Sequence, residues 1–202
     1  MEKNEAMTMQ KFVFLFCSLL LSSLAVAGTD DFKALFKDLD SQKVCEPNFK
    51  EAAKFYREEA EKGDALAQTR LAWQYREGKG VRQDFKQAAF WYQKAADQGY
   101  AEAQYNIGMM YYFGNGVSQN YAQAAIWTRK AAEQGNADAQ YNLGVMFRDG
   151  QGVQQDYVQA HFWFNLALAS GDQKAFENRK LVAMKMTGSQ LREAQALLLK
   201  WN

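Results

Sequence analysis

Phe49, Phe85, Tyr121 and Tyr157 are each 36 residues apart (85 − 49, 121 − 85, 157 − 121), and the blocks they open align on one another without a gap. The blocks read FKEAAKFYREEAEKGDALAQTRLAWQYREGKGVRQD, FKQAAFWYQKAADQGYAEAQYNIGMMYYFGNGVSQN and YAQAAIWTRKAAEQGNADAQYNLGVMFRDGQGVQQD. A fourth, YVQAHFWFNLALASGDQKAF, starts in register and then degrades. A fixed period of this size restricts a chain to a stacked architecture, in which each unit buries its apolar sides against its neighbours.

Each block reads as two helices. The first begins after Asp84, Asn120 or Asp156, whose side chains suit the N-cap. In the second block its apolar stripe is Phe85, Ala88, Ala89, Trp91, Tyr92, Ala95 and Ala96, at steps of three and four. Gly63, Gly99, Gly135 and Gly171 close these helices, where a left-handed residue is wanted. The second helix carries Ala101, Ala103, Tyr105, Ile107, Gly108 and Tyr111. Gly108 and Gly144 recur in mid-helix at a cost of about 1 kcal/mol each relative to alanine. A recurring cost implies a recurring reason, and close approach of two helix backbones supplies one.

The links are Gly78-Lys79-Gly80-Val81, Gly114-Asn115-Gly116-Val117 and Gly150-Gln151-Gly152-Val153. They follow a helix and lack a third spaced glycine, so they serve a tight reversal rather than a phosphate loop, with the valine turned into the apolar layer. A lone helix of about 13 residues is marginal in water, while burying a Trp or Tyr contributes about 1.5–3 kcal/mol. The helices therefore need one another. The expected fold is all-α, a right-handed α-solenoid of stacked antiparallel helix pairs.

With 24 Lys and Arg against 23 Asp and Glu, the chain has no global field directed at nucleic acid or an anionic membrane. Lys11 precedes an apolar run from Phe12 to Leu24, 13 residues long (24 − 12 + 1), and Ala25-Val26-Ala27 supplies a small-x-small cleavage pattern. Residues 1–27 are therefore read as a signal peptide with Gly28 as first mature residue; the run is short for a membrane anchor. Glu2 and Glu5 offset Lys3, which makes Met7 or Met9 an alternative start to Met1. The expected location is exported, periplasmic first and fully secreted second, with no membrane attachment after cleavage. Cleavage leaves Cys45 as the single cysteine, which is either a half-buried small hydrophobe or the site of an intermolecular disulfide.

The organisation expected from these signals is a segment at 28–48, with a short helix over Thr29–Leu39 and a boundary at Pro47, then the array at 49–172. Degenerate capping helices follow at 173–202: one over Gln173–Met186, and one opened by the capping box Thr187-Gly188-Ser189-Gln190 and running to Leu199. No catalytic residue, cofactor or metal site is expected. His161 is the only histidine and stands where other blocks have Ala53, Ala89 and Ala125. Asp84 and Asp156 are better explained as caps than as acid/base groups.

The pattern A-x-A-Q-x-x-L-G-x-x-Y, then G-x-G-V, then Tyr/Phe-x-x-A-x-x-W, then A-A-x-x-G resembles the Sel1-like repeat, a relative of the tetratricopeptide repeat. It stands here as Ala137 to Phe147, Gly150 to Val153, Tyr157 to Trp163, and Ala95-Ala96 with Gly99 or Ala131-Ala132 with Gly135. The family phasing gives units at about 65–100, 101–136 and 137–172 behind a leading helix at 49–62. The resemblance implies an adaptor or scaffold, of a kind which in exported bacterial proteins accompanies envelope assembly, signalling or host interaction.

By similarity to tetratricopeptide repeats, the Leu-Gly helix lines a concave groove. The residues expected to face a ligand form three rows: Arg70, Asn106 and Asn142; Trp73, Met109 and Val145; Arg76, Tyr112 and Arg148; Tyr105 and Tyr141 flank them. Arg and Asn hydrogen-bond an extended peptide or a carboxylate, and the aromatic and Met residues add adaptable apolar contact. A second reading is a binder of cell-envelope polymer, or a modulator of cell-wall enzymes, for which exposed coplanar rings are the expected sign. A third, a β-lactamase-like hydrolase, follows cysteine-rich relatives that staple each repeat with a cysteine pair. The repeats here contain no cysteine.

Overall fold

A computed structural model of the protein describes residues 48–201. The signal peptide, the choice of start, the Thr29–Leu39 helix, Pro47 and Cys45 lie outside the described residues. Those described form α1 (Phe49–Glu61), α2 (Ala65–Glu77), α3 (Phe85–Asp97), α4 (Ala101–Phe113), α5 (Tyr121–Glu133), α6 (Ala137–Asp149), α7 (Tyr157–Ala169), α8 (Lys174–Ala183) and α9 (Gly188–Trp201). Each helix from α1 to α7 packs on the next in sequence, whereas α9 turns back onto α7. The result is an all-α solenoid of stacked helix pairs.

The helix starts follow the caps. Asp84 accepts from the N–H groups of Lys86 and Gln87, Asp156 from Val158 and Gln159, and Asn120 from Gln123. Asp64 and Asn136 cap α2 and α6 in the same way, while Tyr100 before α4 makes no side-chain cap. In α3 the stripe from Ala88 to Ala96 is buried as its spacing requires. Phe85 is not: its ring is 37% exposed, and its main chain is what meets the next repeat.

That contact explains the second glycine of each link. Gly80, Gly116 and Gly152 have φ of +74°, +74° and +72°, and a Cβ at each would stand 2.0, 2.1 and 2.0 Å from the carbonyl oxygen of Phe49, Phe85 and Tyr121. These glycines therefore both reverse the chain and seat it against the preceding repeat. The mid-helix glycines have separate causes. A Cβ on Gly108 would meet Thr128 Oγ1 at 2.8 Å and the backbone of α5 at 3.2 and 3.3 Å, so two helix backbones do approach closely there. At Gly144 the Phe164 ring fills the space, 2.7 Å from the missing Cβ.

A buried polar ladder runs through the stack. Gln68, Gln104 and Gln140 donate from Nε2 to the carbonyls of Ala60, Ala96 and Ala132, at 3.0, 3.2 and 3.2 Å. Their Oε1 atoms accept from Gln98, Gln134 and Ser170 of the following helix pair, at 2.8, 2.7 and 2.9 Å. Each carbonyl also accepts from a backbone N–H, that of Gly63, Gly99 or Gly135, so the buried amide adds a second donor at the helix end and is itself satisfied there.

At the C-terminal end α8 is shorter than the Gln173–Met186 expectation. The capping box forms, with Thr187 N–H donating to Gln190 Oε1 and Gln190 N–H to Thr187 Oγ1. Helix α9 runs past Leu199 to Trp201, whose ring lies 5.5 Å from both Phe162 and Trp163. It covers Phe162 to 5% exposure, while the repeat-equivalent Phe90 and Ile126 stand at 49% and 47%.

His161 is half-buried on α7. Its Nδ1 lies 3.0 Å from Asn165 Nδ2, and Asn165 Oδ1 accepts from Arg179. The arrangement fits a neutral ring accepting at Nδ1. Burial, and next Arg179, lower its pKa from the usual value. A histidine whose folded pKa lies below its unfolded one, near about 6.5, costs stability as pH falls through that unfolded value, until the folded pKa is passed. His161→Ala, the residue of the other blocks, is expected to remove this component. Thermal melts between pH 7.5 and 5.5 should then show a smaller loss of Tm in the variant; identical slopes would rule the coupling out.

Candidate partner-binding face

Helices α2, α4 and α6 bury Leu71, Ile107 and Leu143 against the array. This turns the positions around Arg70, Trp73 and Arg76, and their equivalents 36 and 72 residues on, towards another side of the helix. Hydrogen bonds stitch that side from repeat to repeat. Arg76 Nη1 donates to Asn106 Oδ1 at 2.7 Å. Asn142 Nδ2 donates to the Tyr105 hydroxyl at 3.1 Å and reaches Met109 Sδ at 3.6 Å. Arg70 Nη1 meets the Glu102 carboxylate at 3.5 Å, both side chains being nearly half-exposed. The structure thus brings Arg76, Asn106, Tyr105, Asn142 and Met109 together.

The face extends beyond the expected set. Asn178 of α8 donates from Nδ2 to the Tyr141 hydroxyl at 3.1 Å and accepts from Arg148 Nη1. Its place was available from the period, since 142 + 36 = 178, but the loss of the Leu-Gly pair hides the register there. Other members are tied differently. Trp73 packs in tilted contact with Phe49, ring centroids 6.2 Å apart. Val145 is half-buried against the core. The Tyr112 hydroxyl donates to Gln151 Oε1 at 2.5 Å.

The arginines are already engaged. Arg76 Nε holds the Glu77 carboxylate at 2.7 Å, and Arg148 binds Asp149 through Nε and Nη2, both at 2.7 Å. That hydrogen-bonded guanidinium keeps the Asp149 carboxyl below its ordinary range. Burial, and then the Asp138 charge, push the Tyr105 phenol up. The face offers half-buried aromatic rings, amides and paired charges, which suit recognition of a polar, partly apolar segment. Two concavities lie away from it, one flanked by Arg57, Tyr75 and Asp84 and the other by Arg129, Phe147 and Asp156; the acids in both are engaged as N-caps. Among the described residues, no group of three His, Cys, Asp or Glu could hold a metal ion. No described helix is long and apolar enough to cross a membrane.

The Sel1 repeat family model matches residues 39–64, 65–100, 101–136 and 137–172. Among solved structures, the chain is similar to a protective antigen of uropathogenic Escherichia coli displaying an SLR fold. That match has 33% identity over 74% of this chain and 40% of the antigen, with a TM-score of 0.57. It is also similar to a Sel1 repeat protein from Oxalobacter formigenes, 32% identical over 76% of this chain and 59% of that one, at a TM-score of 0.63. The match to Helicobacter pylori cysteine rich protein B, 22% identical over 67% of this chain and 97% of that one at a TM-score of 0.52, is one of fold. The chain therefore spans less than two thirds of the first two structures. No curated protein matches the sequence.

Proposed function

The chain belongs to the Sel1 repeat family, and from that premise we propose that it is an exported scaffold holding a segment of a protein partner along the groove shared by α2, α4 and α6. Sel1 repeat proteins generally mediate protein–protein interaction, and the family scaffold is generally non-catalytic. The observation that carries the reading is the ladder of amides and phenols from Tyr105 to Asn178, which presents hydrogen-bonding groups at the spacing of the repeat. A stacking surface for sugars would need exposed coplanar rings. Here Trp91, Trp127 and Trp163 are buried, and the Tyr112 ring meets its neighbours edge-on.

The test is affinity capture from envelope extract with the mature chain, residues 28–202, beside the variant Arg76→Ala/Tyr112→Ala/Arg148→Ala. A protein retained by the first and lost by the second, with helicity unchanged by circular dichroism, is the expected result. Equal capture by both would remove the groove from consideration. Export is read separately: protein recovered from the envelope fraction should have an intact mass beginning at Gly28. A mass retaining residues 1–27 would count against cleavage.

A further inference from the structure

The rungs of this face are not equivalent. At two of them the asparagine Oδ1 is met by an arginine 30 residues upstream: Arg76 on Asn106, and Arg148 on Asn178. Each arginine is also paired with the acid that follows it, Glu77 or Asp149. At the middle rung the same two positions hold Tyr112 and Phe113. The Tyr112 hydroxyl turns to Gln151, and Asn142 Oδ1 meets no donor among the described residues, although Nδ2 of the same amide is engaged.

A second irregularity falls at the same place. Asp138 lies one helical turn before Asn142, and residues four apart share a helix face. Its repeat-equivalent, Glu102, is met by Arg70. Asn106 stands where that arginine would be, and Asp138 makes no ion pair among the described residues. Phe113, 64% exposed, lies edge-on to Tyr112 at 5.0 Å, and Tyr121 lies edge-on to the same ring at 5.1 Å.

We propose that the middle rung binds a cationic side chain, an arginine or lysine of the partner segment, at Asn142 Oδ1 and the Asp138 carboxylate; the inference rests on the peptide-groove reading above. The array itself shows the chemistry, because the vacant donor position is one that the chain's own guanidinium fills in both adjoining rungs. Asp138 supplies the countercharge, and charge-assisted hydrogen bonds to it and to the free amide oxygen are the strong kind. An anion would find the nearest arginines, Arg76 and Arg148, already held by their own acids. Arginine fits better than lysine, because its planar fork can reach an amide oxygen and a carboxylate together.

The probe is acetyl-Gly-Arg-Gly-amide titrated into the full chain and followed by backbone amide NMR shifts, with the uncharged citrulline peptide as control. The arginine peptide is expected to shift Asp138 and Asn142, with about tenfold tighter binding than the control. Tyr112→Arg/Phe113→Glu gives the middle rung the pair its neighbours carry, and should erase that preference with the fold intact. Asp138→Asn should weaken it without touching the core. Equal shifts by both peptides along α2, α4 and α6 would overturn the cation inference and leave the groove reading standing. No shift on those helices with either peptide would also overturn it, the groove then being decided by the capture experiment alone. Undiminished preference in Tyr112→Arg/Phe113→Glu would place the cation elsewhere and likewise overturn it.

Discussion

Gly116→Ala is expected to destabilise the protein by about 3 kcal/mol or more, the sum of two effects. Holding alanine at φ +74° costs about 1 kcal/mol. The added Cβ would also stand 2.1 Å from the Phe85 carbonyl oxygen and 2.3 Å from its carbon. Both are main-chain atoms of a capped helix start, so no rotamer change relieves the clash, and overpacking of this kind costs about 1–3 kcal/mol. At about 2–4 °C per kcal/mol for a chain of this size, Tm should fall by roughly 6–12 °C. Gly114→Ala is the control within the same loop. It has φ +73°, but its Cβ would meet only the Gln119 residue, at 3.2 Å and beyond. It should lose about 1 kcal/mol, the conformational part alone. Equal midpoints for the two variants in thermal or urea unfolding would show that the Phe85 contact contributes nothing.

Phe164→Ala is expected to be comparably damaging but local in its consequences. Phe164 is fully buried, fills the space opposite Gly144, and lies 5.8 Å from the Tyr141 ring. Removing a buried phenylalanine costs about 3–5 kcal/mol. In a stack whose units touch only their neighbours, such a loss is felt first where the array is already ending. Hydrogen exchange should show protection lost in α7, α8 and α9 while α2, α3 and α4 keep theirs. Loss in step along the whole chain would rule out neighbour-only coupling. Gly144→Ala in that background should recover part of the loss, since the methyl group enters the vacated space and removes a mid-helix glycine.

The helices of the array were legible because they rest on local chemistry: a side chain that caps two or three residues ahead, apolar steps of three and four, and a glycine after each; α8, which no glycine follows, was drawn too long. Asp84, Asn120 and Asp156 needed nothing distant to be read. Contacts between repeats were less legible, because each depends on what faces a residue 30 or more positions away. The recurrence of Gly108 and Gly144 suggested one cause, yet Thr128 with its backbone stands opposite the first and the Phe164 ring opposite the second. Phe85 carries the apolar pattern of a core residue, but its carbonyl makes the decisive contact. On the candidate face, the rows were readable from the period. The pairing of Arg76 with Asn106 and of Arg148 with Asn178 was not, because it follows helix-to-helix geometry and long, branched side chains.

The contact of each link glycine with a carbonyl 31 residues upstream (80 − 49, 116 − 85, 152 − 121) also bears on how such a chain can change over generations. A main-chain carbonyl belongs to every residue type, so the joint asks nothing of the side chain at Phe49, Phe85 or Tyr121. The spacing between units is therefore insulated from mutation of those side chains. Whole blocks of 36 residues can be duplicated or deleted with every remaining joint still closing on its backbone, so the length of the array and the side chains it displays can be inherited as separate traits.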